Sequence, residues 1–266
     1  MKLLYERWRK FLSEAEVEEG IDPNTNQHDG RYYAFDWDDN LLFMPTEIYF
    51  NIVGTTTVVG VSTHKFAEIR ELIGKPGKYK NYQFTEGSFR DFRVEGDQKF
   101  LEDVKAGPET APAWNDFVEC LNSASVFAII TARGHKPETL KEAVKILIDM
   151  NYKGIDKDKI KNSLAHYAKL KGKNKANTID KYLNMCRFYP VSYRVTDGAA
   201  SPEELKKDAM GDFRNYVNNL NQELDINAAS TVNLGFSDDD FKNFELMRST
   251  FPDITSKYTG PERDQT

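Results

Sequence analysis

An apolar run broken abruptly by acid leaves this chain few ways to fold: Arg31-Tyr-Tyr-Ala-Phe-Asp36-Trp-Asp38-Asp39-Asn40-Leu-Leu-Phe-Met-Pro-Thr46. Tyr32 to Phe35 is too short and too aromatic for a helix and reads as a buried strand, which puts Asp36 at its end. In an open α/β sheet the carboxyl ends of parallel strands form the crevice where ligands bind, so an Asp-x-Asp there faces a site and calls for a cation. The pattern recurs. Ser125 to Ile130 is a continuous apolar run, as expected of a central parallel strand covered on both faces, and it ends in Thr131-Ala132-Arg133-Gly134-His135. Thr231 to Phe236 is another, ending in Ser237-Asp238-Asp239-Asp240. Tyr189 to Thr196 reads as a further strand, with Pro190 near its start where no ladder donor is needed.

Helices alternate with these strands. Pro112 to Leu121 starts a helix with Trp114, Phe117, Val118 and Leu121 on one face. Lys136-Pro137-Glu138 opens a crossover helix whose Leu140, Ala143, Val144, Leu147 and Ile148 repeat at three and four. Ser201-Pro202-Glu203-Glu204 combines a capping residue, a proline in the first turn and a Glu three residues past the cap, and it places Lys206 and Lys207 in the opening turns.

The stretch Asp36-Trp37-Asp38-Asp39-Asn40-Leu41-Leu42 resembles motif I of the haloacid dehalogenase (HAD) superfamily of phosphatases and phosphotransferases, with Asn40 in place of the usual Thr or Val. Thr131 looks like motif II, Lys206 or Lys207 like motif III, and the acids after Gly235-Phe236 like motif IV in its paired-acid form. The resemblance covers about residues 32–243. It implies a HAD-like Rossmannoid parallel sheet flanked by helices, and a magnesium-dependent hydrolase of phosphate monoesters. Asp36 would be the nucleophile that forms an aspartyl-phosphate, and Asp38 the general acid and then base. Thr131 and Lys206 or Lys207 would hold the phosphoryl oxygens, with Arg133 and Asn40 as further substrate contacts. Mg2+ would be held by Asp36, the Asp38 carbonyl and Asp238 or Asp239, ahead of Asp240. The substrate class stays open among nucleotides, nucleic-acid ends and small phosphorylated metabolites.

From Asn40 to about Thr110 there is far more chain than a strand-to-helix loop needs. Ile48 to Ser62 reads as a β-hairpin punctuated by Gly54 and Gly60, Lys65 to Ile73 as a short helix, and Tyr79 to Phe100 as further strands. In the resembled superfamily an insertion at this point is a cap or flap, so about 41–110 is expected to be one.

The 266 residues, 39% hydrophobic and 29% charged, suffice for one α/β core with insertions. A net charge of -6 argues against a surface wholly devoted to nucleic acid, although Lys153 to Lys175 holds eight lysines against Asp156 and Asp158. A solvated helical face is the favoured reading of that lysine-rich segment (about 151–188), and a contact to polyanionic substrate or nucleic acid the sharper one. The first residues, up to about 29, alternate charge and apolarity, with Leu4, Trp8, Phe11 and Leu12 at helical spacing. They lack the apolar core of a signal peptide or membrane span, so a cytoplasmic protein without membrane contact is expected. Cys120 and Cys186 imply two buried thiols rather than a disulfide framework.

Other chemistries fit less well. Asp36, Asp38, Asn40 and Glu47 occupy positions 1, 3, 5 and 12 of a calcium loop. Position 6, however, is Leu41 where the turn needs glycine, and the flank reads as strand. His64, His135 and His166 form no Cys/His metal set, and neither a Gly-rich phosphate loop nor a nucleophilic serine elbow is present. The remaining alternative is a HAD-like binding protein that is catalytically silent.

Overall fold

The computed structural model describes residues 31–164, 176–193, 200–223 and 233–261. In chain order these form β1 (Arg31–Phe35), β2 (Leu42–Phe43), β3 (Glu47–Ile52), β4 (Val58–Ser62), α1 (Thr63–Ile69), β5 (Tyr82–Gln83), α2 (Asp97–Lys105), β6 (Glu109–Thr110) and α3 (Trp114–Asn122). There follow β7 (Phe127–Thr131), α4 (Pro137–Asp149), α5 (Lys157–Ser163), α6 (Ile179–Met185), β8 (Arg187–Pro190), α7 (Pro202–Glu223), β9 (Asn233–Asp238), α8 (Phe241–Thr250) and β10 (Thr255–Tyr258).

Five strands make one parallel sheet in the order β10-β9-β1-β7-β8, flanked by helices. The two innermost-packed strands, β1 and β7, are buried almost throughout, which is why they read as unbroken apolar runs rather than as alternation. Phe117 on α3 meets both edge-to-face, at 5.4 Å from Phe35 and 5.5 Å from Phe127. Full burial of a ring of this size is worth about 1.5–3 kcal/mol. The helix-start signals work as expected: Pro137 lies in the first turn of α4, and the Ser201 hydroxyl accepts from the Glu204 amide of α7 at 3.3 Å.

The register decides what the sheet presents at its edge. Phe35 pairs with Ile129 on one side and Ser237 on the other, so Asp36, Thr131 and Asp238 emerge at the same, carboxyl end. Leu42 and Phe43 pair antiparallel with Thr110 and Glu109. This short ladder closes the base of the inserted segment, whose own sheet has the order β4-β3-β5. The expected hairpin is β3 and β4, turning through Gly54 at a left-handed φ of 78°.

Two expectations fail. Tyr79 to Phe100 is not a run of strands: apart from β5 it forms 3₁₀ turns over Glu86–Phe92 and Val94–Gly96 and then enters α2. Its aromatics do not keep a period of two. Phe84 and Phe89 fold back on Phe50 and Phe66 as a cluster, and the Thr85 amide is taken by the Ser88 hydroxyl at 2.9 Å. The strand placed at Tyr189 to Thr196 instead spans Arg187–Pro190, so Pro190 is its last residue. This is an edge strand, where proline is tolerated, and the ladder continues through the Val191 amide to the Thr131 carbonyl at 2.9 Å. Residues 191–193 turn away, and 194–196 lie outside the described residues.

The N-terminal helical reading and the Lys169 to Lys175 cluster also lie outside the described residues. Of the other lysines, Lys157 pairs with Asp149 at 2.5 Å and Lys161 with Asp158 at 2.9 Å. Cys120 and Cys186 are buried thiols, and Cys120 Sγ donates to the Ser125 carbonyl at 3.6 Å. Among the described residues no helix is long and apolar enough to cross a membrane.

Candidate functional site

The chain after β1 turns tightly. The Leu41 amide bonds the Trp37 carbonyl at 3.0 Å, the Asp39 amide bonds the Leu42 carbonyl at 3.0 Å, and Asp39 sits at a φ of 54°, a conformation that Asp tolerates better than most residues. Asn40 braces this turn. Its amide nitrogen donates to the Asp36 carbonyl at 3.0 Å and to Ser237 Oγ at 3.1 Å, while its oxygen accepts from Thr259 at 2.7 Å. Asn40 is fully buried, so it positions the loop and is not the substrate contact expected from the sequence.

Asp36, Asp238 and Asp239 each offer a carboxylate oxygen within 4.8 Å of the others. Lys206 reaches into them from the first turns of α7, its Nζ lying 3.0 Å from Asp36 and 2.8 Å from Asp238. Lys206 is 3% exposed; Lys207, on the outer side of the helix, pairs with Glu204 at 3.4 Å and takes no part in the cluster. Of the two lysines that the sequence left open, Lys206 lies in the acid cluster and Lys207 outside it.

The acids are not alike. Asp238 is the most heavily bonded, receiving Lys206, the Asp240 amide at 2.8 Å and the Asn243 side-chain amide at 3.1 Å on each oxygen. Burial pushes the Asp36 carboxyl up to about 7, with Lys206 opposing and Asp238 and Asp38 adding to the rise. Burial likewise takes Asp239 to about 9, reinforced by Asp238 and Asp36. Asp39, whose carboxyl also lines the site, is raised to about 6, again chiefly by burial. Asp240 is used elsewhere, capping α8 through the Lys242 amide and pairing with Arg70 at 2.9 Å.

The Asp38 carboxylate, expected as the proton-transfer group, stands apart from the three clustered acids; the ligand expected of this residue is its backbone carbonyl. Arg133 grips it with a fork, Nε to Oδ2 at 2.8 Å and Nη2 to Oδ1 at 2.6 Å. The guanidinium lies 4.6 Å from the ring centres of both Phe92 and Phe100 and also donates to Thr46 at 2.9 Å. His135 closes the network, with Nε2 at 3.1 Å from Arg133 and Nδ1 at 2.8 Å from Asp97. Burial, then the Arg133 charge, pushes His135 down to about 4, so the imidazole is neutral near pH 7. Arg133 is therefore committed to Asp38. Thr131 lies at the end of β7 in the wall of the same cavity, its hydroxyl accepting weakly from the Arg133 amide at 3.4 Å.

The calcium-loop geometry does not assemble: Asp38 is held by Arg133, Asn40 by the loop and Ser237, and Glu47 opens β3. Sequence reading missed Asn243, Asp39, Thr46, Asp97 and His135. Asn243 carried a usable signal, since it lies five residues beyond Asp238 in the first turn of α8.

The residues suit a hard divalent cation. Three carboxylates face one ammonium, and two of them are pushed toward protonation. An all-oxygen donor set with room for water matches what Mg2+ requires. No protein-family model, no curated protein and no solved structure matches this chain.

Proposed function

We propose that this protein is a phosphomonoester hydrolase of HAD type, working through a phosphorylated Asp36 with magnesium. The observation that carries the reading is the buried Lys206 bridging Asp36 and Asp238, beside Asp239, at the joint end of two parallel strands. A carboxylate placed to attack an anion needs such compensation. Asp36, Asp238 or Asp239 and the Asp38 carbonyl would hold a magnesium ion, which would supply the further positive charge that lets a phosphate dianion approach.

In this mechanism an Asp36 carboxylate oxygen attacks phosphorus while the bond to the leaving oxygen breaks, and Asp38 gives that oxygen its proton. Carrying that proton requires one of the two Asp38 hydrogen bonds to Arg133 to open. Asp38 then takes a proton from water, which attacks the phosphorylated Asp36 and releases phosphate. Thr131 and Lys206 hold phosphoryl oxygens, and Asn243 keeps Asp238 oriented. The inserted segment, about 41–110, serves as the cap over the cavity.

The test is turnover of a phosphomonoester panel with magnesium and with excess chelator, together with mass spectrometry of quenched protein. Chelator should abolish turnover, Asp36→Asn should remove it, and phosphate should be trapped on Asp36. Turnover by Asp36→Asn, or phosphate on another residue, defeats the proposal. A protein that turns over no phosphomonoester is the silent binding relative instead.

A further inference from the structure

The cavity that holds the acids has a volume of about 420 Å³, within the range that accommodates a whole small molecule, and a phosphoryl group alone leaves most of it open. Away from the acids its lining changes character. Ile48, Phe66, Ala67, Phe89 and Phe92, all from the inserted segment, form a wall without a side-chain donor or acceptor. Phe66, Phe89 and Phe92 are half-buried, so part of each ring is uncovered. They are fixed from behind: Phe66 meets Phe89 edge-on at 5.8 Å, Phe89 meets Phe92 at 6.4 Å, and Phe50 and Phe84 back them at 6.3 and 5.7 Å.

The position of this wall relative to the chemistry is what gives it meaning. In-line displacement puts the leaving oxygen on the side of phosphorus away from Asp36. Asp38, which serves that oxygen, is gripped by Arg133, and Arg133 lies against Phe92. Phe92 leads to Phe89 and Phe66, so the body of the leaving group rests on the aromatic wall. Of the cations lining the cavity, Arg70 is paired with Asp240, Arg133 with Asp38 and Lys206 with Asp36 and Asp238, while Arg93 donates to the Ser192 carbonyl at 3.3 Å and stays exposed at the rim, where it can meet charge without breaking the apolar wall. A polyol would lose its water there and find no partner on the wall. A flat ring loses little and gains offset or edge contacts with the phenylalanines.

We propose that the substrate is a phosphomonoester whose leaving group carries a flat aromatic ring, recognised by Phe66, Phe89 and Phe92. This rests on the phosphohydrolase reading of the site, and its test separates the two. Calorimetry with magnesium present compares 2-phenylethylphosphonate with ethylphosphonate, which share the anionic head and differ in the ring. Turnover compares 2-phenylethyl phosphate, ethyl phosphate and glycerol phosphate, all with alkoxide leaving groups, so that intrinsic leaving-group reactivity does not produce the preference.

The phenyl compounds should bind at least tenfold more tightly and show at least tenfold higher kcat/KM, with the advantage reduced severalfold in Phe89→Leu and in Phe66→Leu. A tenfold binding preference without any turnover supports the aromatic wall and sinks the hydrolase. Turnover with equal phosphonate affinities, or no phosphonate binding at all, overturns the aromatic assignment. Nucleoside monophosphates against benzyl phosphate then distinguish a nucleobase from a simple aryl group as the source of the ring.

Discussion

Stripped of divalent metal, this protein should become less stable as pH rises from about 7 to about 9. The sign follows from Asp239, which in the unfolded chain titrates near 3.8 and in the folded one at about 9. Across that window the folded form keeps a proton that the unfolded form has lost, so stability falls by about 1.4 kcal/mol per pH unit, roughly 2–3 kcal/mol in all. Asp36 has the same sign, but its contribution is lost between 3.8 and about 7. His135 has the opposite sign: its pKa is lowered from 6.5 to about 4, so its contribution is lost as pH falls through that range. Between pH 7 and 9 the fall therefore comes chiefly from Asp239, with Cys186, raised by burial from 9.0 to about 12, adding a smaller loss of the same sign near pH 9. Under the proposed function magnesium competes with the same protons, so an ion present at a hundred times its Kd should add about 2.7 kcal/mol. Urea unfolding, followed by far-ultraviolet circular dichroism at pH 7, 8 and 9 in chelator and in magnesium, reads both effects. The slope should be steep in chelator, shallow in magnesium and nearly absent in Asp239→Asn. A wild-type slope in chelator equal to that of Asp239→Asn would show that the acids are not coupled as the geometry requires.

Lys206→Met should destabilise the metal-free protein by about 3–5 kcal/mol, because Asp36 and Asp238 lose their buried partner, and should eliminate turnover. Lys207→Ala, one residue away, should change the unfolding free energy by less than about 0.5 kcal/mol and leave kcat intact. Arg133→Lys exchanges a planar fork for a point charge and loses a charge-assisted bond worth about 1.5–3 kcal/mol. It should lower kcat by about ten- to a hundredfold, with the largest effect on alkyl phosphates, and a pH–rate profile identical to wild type would argue against Arg133 positioning Asp38.

The residues that were legible in the sequence are those at strand ends, because a fully buried parallel strand announces itself as an apolar run and its last residue must meet solvent or a site. Asp36, Thr131 and Asp238 belong to this group. The choice between Lys206 and Lys207 was also available, since Lys206 shares the stripe of Met210, Phe213, Val217 and Leu220, all buried. Contacts between distant segments were not: nothing local to Arg133 tells that Phe92 and Phe100 will sandwich it, or that Asp38 will occupy its fork. Asn40 misled because a polar residue beside two acids looks like a ligand, whereas its partners are a backbone carbonyl, Ser237 and Thr259. The aromatic segment before α2 misled because rings support a strand or a cluster equally, and only the surrounding chain decides.

The order of the main sheet carries a consequence for biosynthesis. β1 is among the first of the described segments to leave the ribosome, yet one of its two neighbours, β9, begins at Asn233. Until then the apolar Tyr32 to Phe35 has one open backbone edge, able to pair with another nascent chain. Loop closure over so long a separation is slow relative to local helix formation. Ribosome-bound chains ending before Asn233 should thus stay prone to aggregate, and emergence of β9 should bring Asp36, Asp238 and Asp239 together in a single late event.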